Sequence, residues 1–193
     1  MKKMNRREFL ALTGAAVVAL SLAGCDDEPY APPAPPAAPT SKEAELVAAI
    51  NKVWKKKYEA NEVTHEQLIL NQDAVDVISA YGHICEKANE TPHIPTADDF
   101  TMISEGSGKF KEKMKKYGNS CFAGMAGVTT PFANKVIALE DAYSCEDTAV
   151  QAFVKKLLTS LFNSSKAEYI SIYLPVVQGK TYMTAAIFLN DKA

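Results

Sequence analysis

Five side chains in this 193-residue chain could do metal or thiol chemistry: His83, Cys85, His93, Cys121 and Cys145. The first three fall within eleven residues. Zinc takes imidazole and thiolate ligands, so His83, Cys85 and His93 are the candidate metal ligands. A cysteine–histidine pair among them could also serve as nucleophile and base. The spacing argues against both roles. His83-x-Cys85 is not a zinc-finger spacing, and no metalloprotease, nucleophile-elbow or phosphate-loop pattern occurs. Gly106-Ser107-Gly108-Lys109 lacks the upstream glycine of a phosphate loop, Met102 and Ile103 standing there instead, and reads as a turn ahead of a helix. The plainer roles are structural: His83 at a helix end, where its ring suits the helix dipole, His93 in an exposed loop, and His65 solvated. The three cysteines are either small buried hydrophobes or one disulfide with a thiol left over. No CxxC is present, so thioredoxin-like redox chemistry and haem attachment lack their signatures. No cofactor is expected.

A further chemistry-bearing residue, Cys25, lies in a different setting. Lys2, Lys3, Arg6 and Arg7 give a positive start, Leu10 to Leu22 an apolar middle of about 13 residues, and Leu22-Ala23-Gly24 small residues before Cys25. These are the three parts of a targeting peptide. Arg6-Arg7 followed by Phe9-Leu10 resembles a twin-arginine export tag, and Leu-Ala-Gly-Cys resembles the box whose cysteine is lipidated in bacterial lipoproteins. The apolar run is short of the roughly 20 residues that span a bilayer, which favours cleavage over a retained helix. The expected organisation is a signal peptide at 1–24, a lipidated Cys25 with a proline-rich tether to residue 40, and a globular domain at 41–193. That places the protein on the extracytoplasmic, periplasmic face of the cell membrane, held by its lipid. The tether has six prolines between Pro29 and Pro39. In polyproline II form it reaches roughly 45 Å.

Composition narrows the partners. Without the signal the chain has 17 lysines, 22 carboxylates and a formal charge of −5, against −2 for the whole sequence. Nucleic acid, which selects a basic footprint, is excluded as a partner. Arg6 and Arg7 are the only arginines, so the domain lacks the planar fork that grips carboxylate or phosphate. Lys109, Lys111, Lys113, Lys115 and Lys116 form one basic stretch, either a solvated helix face or a contact for anionic headgroups.

The elements that must position these residues read as helices first and paired strands last. Thr40-Ser41-Lys42-Glu43 resembles a capping box. Leu46, Val47, Ile50, Val53 and Trp54 then recur at helical spacing to about Lys57. Thr64-His65-Glu66-Gln67 predicts a second helix through Leu70, Ala74, Val77, Ile78 and Tyr81, ending near Gly82. Residues 86–108 read as turns, and a short helix runs from Lys109 to Tyr117 with Gly118 behind it. Pro131 predicts the first turn of a helix to Tyr143, and Ser144 the cap of another with Val150, Phe153, Val154, Leu157, Leu158 and Leu161 inward. Tyr169–Leu174 and Thr181–Ile187 alternate around Gln178-Gly179-Lys180, predicting a closing β-hairpin. The fold class is α+β.

Several local strings are similar, in order, to the CAP superfamily of cysteine-rich secretory and pathogenesis-related proteins. Leu46-Val47-Ala48-Ala49-Ile50-Asn51 resembles the family's opening helix. Phe110 to Gly118, leading to Ala123-Gly124-Met125-Ala126, resembles its middle segment, and Ala149-Val150-Gln151-Ala152-Phe153 its later helix start. The resemblance covers about residues 42–190 and implies a three-layer α-β-α sandwich with a C-terminal hairpin. It also implies a cavity that in many members holds a divalent metal on two histidines and two acids. Here Met125 stands for one acid, His93 or His83 for the first histidine, and no histidine follows His93. The resemblance therefore implies a vestigial cavity around His93 and Met125. The expected function is a non-catalytic binding module for a lipid, an envelope polymer or a protein. The alternative is a metal- or thiol-dependent envelope enzyme using Cys85, His83 and His93.

Overall fold

A computed structural model describes residues 41–129, 135–140 and 143–192. Arg6, Arg7 and Cys25 lie outside them, as does the whole tether to Thr40. The first helix, α1 (Lys42–Glu59), is capped by Ser41, whose Oγ accepts the Ala44 N–H at 3.2 Å. Acids in its first turn and Lys56 and Lys57 in its last complement the helix dipole. Its buried stripe is the expected Leu46, Val47, Ile50, Val53 and Trp54.

The predicted second helix does not begin at Thr64, because α1 takes that segment's backbone groups. Trp54 Nε1 donates to the His65 carbonyl at 3.0 Å, and the Asn51 amide both donates to and accepts from the Leu68 backbone. The chain instead enters strand β1 (Ile69–Leu70), a 3-10 turn (Gln72–Ala74) and then helix α2 (Val75–Ala88). Gly82 lies inside α2 rather than at its end. A Cβ there would overlap the Tyr173 ring, so this glycine admits a neighbour.

Residues 97–108, read as turns, belong to helix α3 (Ala97–Met114), which opens with a capping box between Thr96 and Asp99. Gly106 is again a contact glycine. Its Cβ would lie 2.7 Å from the Asp76 carbonyl oxygen and 2.9 Å from Ala80 Cβ, so α2 and α3 cross closely there. The expected basic helix is the last part of α3, and Gly118, at φ +114°, turns the chain beyond it.

Strand β2 (Phe122–Ala126) follows, then a small pair, β3 (Val128–Thr129) and β4 (Ala138–Leu139). The described part of the helix predicted from Pro131 to Tyr143 is not helical: Ile137 bridges to His93 and Ala138–Leu139 is strand. Ile137 is the reason: it is fully buried and exchanges both backbone bonds with His93. Helix α4 (Asp147–Thr159) buries Val150, Phe153, Val154 and Leu157 as expected. Leu158 is half-buried and Leu161, past the helix end, points outward at 45% exposure.

The chain closes with β5 (Tyr169–Tyr173), the two-residue strands β6 (Val176–Val177) and β7 (Lys180–Thr181), and β8 (Thr184–Phe188). Gln178 and Gly179, both at positive φ, turn β6 into β7. The main sheet runs β1-β5-β8-β2, with β1 parallel to β5 and the other pairs antiparallel. Alternation divides its side chains between two faces. Ile170, Ile172, Ala185 and Ile187 pack with Leu46, Ile50, Trp54 and Leu157 of α1 and α4. Tyr169, Tyr173, Ala186 and Phe188 pack with Ile78 of α2 and Met114 of α3. The fold is a mixed α+β arrangement with helices against both faces of the sheet.

Candidate functional site

The three sequence candidates take up separate engagements. His83 is exposed on α2, with Nδ1 3.0 Å from Glu86 Oε2 and 2.9 Å from the Tyr173 hydroxyl. Tyr173 donates to the same Glu86 oxygen at 2.8 Å, and Glu86 Oε1 accepts the Val176 N–H at 2.9 Å. This cluster ties the β6–β7 hairpin to α2. Burial, then the Glu86 carboxylate, holds the Tyr173 phenol well above its ordinary range.

Cys85 is fully buried among Tyr81, Ile84, Ile137, Leu139 and Val177. Burial pushes its thiol up to about 11; the Thr91 hydroxyl opposes the rise, while the Asp99 and Glu86 charges add to it. A thiol so placed stays protonated and is a poor nucleophile. His93 puts Nε2 2.8 Å from Asp99 Oδ2. Burial alone would raise the Asp99 carboxyl, but the Thr96 N–H, His93 and the Thr96 hydroxyl outweigh it and hold it below its usual value. His93 is mostly buried, not loop-exposed as the sequence suggests. Among the described residues no group of three or more His, Cys, Asp or Glu side chains is disposed to hold a metal ion. Met125 lies on β2 and packs against the apolar cluster that contains Cys85 and Ile137. Cys85, Cys121 and Cys145 are all free thiols, Cys145 donating to the Tyr143 hydroxyl at 3.0 Å.

The basic end of α3 is partly neutralised. Lys113 pairs with Asp76 at 2.6 Å and Lys116 with Asp73 at 2.7 Å. Tyr117 donates to Asp73 at 2.5 Å and accepts from Asn71 at 2.8 Å. Lys116 first, then Tyr117, holds the Asp73 carboxyl below its ordinary value.

The feature sequence reasoning missed is a cleft of about 920 Å³ between α1 and α4. Val53, Ala152 and Leu158 give it an apolar floor, and Lys56, Lys57 and Lys155 stand on its rim. Lys57 pairs with Glu62 at 2.8 Å. Lys56 and Lys155 form no ion pair among the described residues. The size lies within the range of small-molecule sites. One signal could have found it. Thr148, Gln151, Ala152, Lys155 and Thr159 recur at three- and four-residue steps, a second stripe beside the buried one. The pairing of that stripe with α1, about a hundred positions earlier, is a tertiary fact.

Comparison with protein-family models, curated proteins and solved structures gives no match. What the chain does has to be argued from its own side chains. On that basis the cleft stands apart by size: it joins open apolar surface with unpaired cations in about 920 Å³, against about 230 Å³ for the groove beside α3 lined by Phe110, Met114, Lys111 and Lys115. The His83 and His93 clusters are instead bonded among their own side chains.

Proposed function

We propose that this chain is a membrane-anchored, extracytoplasmic lipoprotein whose CAP-like domain is a non-catalytic binding module. The α1–α4 cleft is its ligand site, and the ligand is an amphiphile with an acyl chain and an anionic head. The observation that carries the ligand site is the apolar floor beneath the unpaired Lys56 and Lys155. An acyl chain gains by leaving water, and a carboxylate or phosphate on its end meets two ammonium groups. A lysine rim without arginine suits point-charge attraction over a directed fork.

Helices on both sheet faces support the three-layer α-β-α sandwich. The family-like strings lend support as well. Leu46 to Asn51 lies in α1, Ala123 to Ala126 on β2, Ala149-Val150 opens the body of α4, and a strand pair closes the chain. The protonated Cys85 thiol supports a non-catalytic role over a thiol enzyme. The anchor rests on Arg6, Arg7 and the sequence before Cys25.

Titration of the full chain with a fluorescent long-chain fatty acid tests the site. Binding should saturate at one ligand per chain. Ala152→Trp, which fills the floor, should weaken it by about tenfold or more, since the loss of one buried apolar contact of 1.4 kcal/mol is already tenfold. His93→Ala and Cys85→Ser should leave it unchanged. Binding abolished by His93→Ala or Cys85→Ser and untouched by Ala152→Trp would reject the assignment.

A further inference from the structure

The end of the cleft carries an exposed ring that ligand binding in the cleft does not use, beside lysines that it does. Past α4 the chain turns at Leu161-Phe162 before the 3-10 turn Ser164–Lys166. Phe162 is 104% exposed and Leu161 45%. Residues Leu158 and Thr159, one turn earlier, line the cleft. The loop after α1 is joined to the other side of this tip, Thr64 N–H donating to the Ser165 carbonyl at 3.0 Å. Lys155 and Lys166 flank the tip in sequence, and Lys56 lies across the cleft. None of these three lysines has an ion-pair partner among the described residues. The acids nearest in sequence on that loop, Glu62 and Glu66, are already taken by Lys57 and Lys55.

A fully exposed phenylalanine with an unpaired basic collar is unusual on a domain whose overall charge is negative. These lysines are a local exception to that charge, as the α3 lysines are, so the complementary surface is anionic. Phe162 stands clear of the surrounding protein surface. A fluid bilayer adapts to a protruding ring, and its headgroups meet the lysines at the level where the ring enters the acyl region. Each lysine near an anionic lipid surface adds about fivefold to the affinity. The α3 lysines, by contrast, include two held by Asp76 and Asp73 and lack an exposed aromatic of this degree.

We propose that the Leu161-Phe162 tip, flanked in sequence by Lys155 and Lys166 and with Lys56 across the cleft, inserts into an anionic phospholipid bilayer as a second membrane contact beside the lipid anchor. This rests on the membrane-anchored reading above. The test uses the full chain purified from membranes and placed in vesicles of phosphatidylglycerol or of phosphatidylcholine. Phe162→Trp is compared with the parent chain, and the difference spectrum isolates residue 162 from the buried Trp54. In phosphatidylglycerol vesicles its emission should shift to the blue and be quenched by brominated acyl chains. In phosphatidylcholine both effects should shrink, and the added substitutions Lys155→Glu and Lys166→Glu should remove them.

Residue 162 remaining at water-exposed emission, unquenched in both vesicle types, would overturn the proposal. A blue shift in the absence of vesicles that grows with protein concentration would also overturn it, assigning the tip to a second copy. The mass of the N-terminal peptide reports the anchor separately. An acylated Cys25 with a wet residue 162 defeats the tip alone. An unacylated Cys25 defeats the anchored reading, and the same chain added to preformed vesicles then decides the tip by the same emission.

Discussion

The two faces of the central sheet solve the same packing problem with different chemistry. Toward α1 and α4 the core is largely aliphatic, with Trp54 and Phe153 its large rings. The polar interactions there run back into the protein through Asn51 and Trp54. Toward α2 and α3 the core is aromatic. Tyr117, Tyr169 and Phe188 lie within 5.0–5.5 Å of one another by ring centroid. Polar groups surround that stack, and those of the Asn71–Asp73–Tyr117–Lys116 and His83–Glu86–Tyr173 clusters are mutually bonded. The residues that look most reactive in the sequence sit on the satisfied side. Lys56, Lys155 and the exposed Phe162 ring sit on the plain side. A group that has already met its partner holds the fold together, while an unmet one is free to meet something else.

Two phenylalanines give the sharpest contrast. Phe188 is fully buried in the aromatic stack, and Phe188→Ala should cost about 3–5 kcal/mol in urea unfolding of the full chain. Phe162→Ala should change stability by no more than about 0.5 kcal/mol. Equal costs would erase the distinction between a structural ring and one free for a partner. The glycines of α3 offer the next contrast. Gly106→Ala forces a methyl to 2.7 Å from the Asp76 carbonyl oxygen, with an expected loss of about 1–3 kcal/mol. Gly108 has nothing within 4 Å of an added Cβ, so Gly108→Ala should raise stability by about 1 kcal/mol through helix propensity. Stability measurements that rank these two alike would contradict the close α2–α3 crossing.

The α2–α3 side also predicts a pH response. Asp73 and Asp99 are held below their ordinary values in the folded chain. A carboxyl with a lowered folded value contributes stability above its unfolded value, near pH 4, and loses it as pH falls through the folded one. The full chain should therefore weaken on acidification below about pH 4. Asp73→Asn and Asp99→Asn should each flatten that fall while lowering stability at neutral pH. Stability that is level or rises on acidification would show that these carboxylates are not held by Lys116 and His93.

Local signals made part of this legible. The helical stripe of α1, the α4 stripe and the alternation of β5 and β8 were readable because each depends on its own segment. The failures share a physical cause. Gly82 and Gly106 look like helix breakers, yet they are inside helices because Tyr173 and α2 approach them. Thr64-x-x-Gln67 has the pattern of a cap, but Asn51 and Trp54 take the neighbouring backbone first. Ala138-Leu139 follows a helix-like pattern, and its pairing with β3 and the bond pair between Ile137 and His93 make it strand. The cleft was only half legible for the same reason, its α4 stripe being readable and its pairing with α1 not. Val53 and Ala152 carry no chemistry of their own, and only folding sets them side by side.

Hydrogen exchange of the full chain, with and without a saturating long-chain fatty acid, tests the division of labour most directly. Protection should rise in residues 53–57 and 151–159, where the cleft lies, and stay unchanged in residues 83–99, where the histidines and Cys85 sit. Protection confined to residues 83–99 would contradict the account and return function to the residues that first looked reactive.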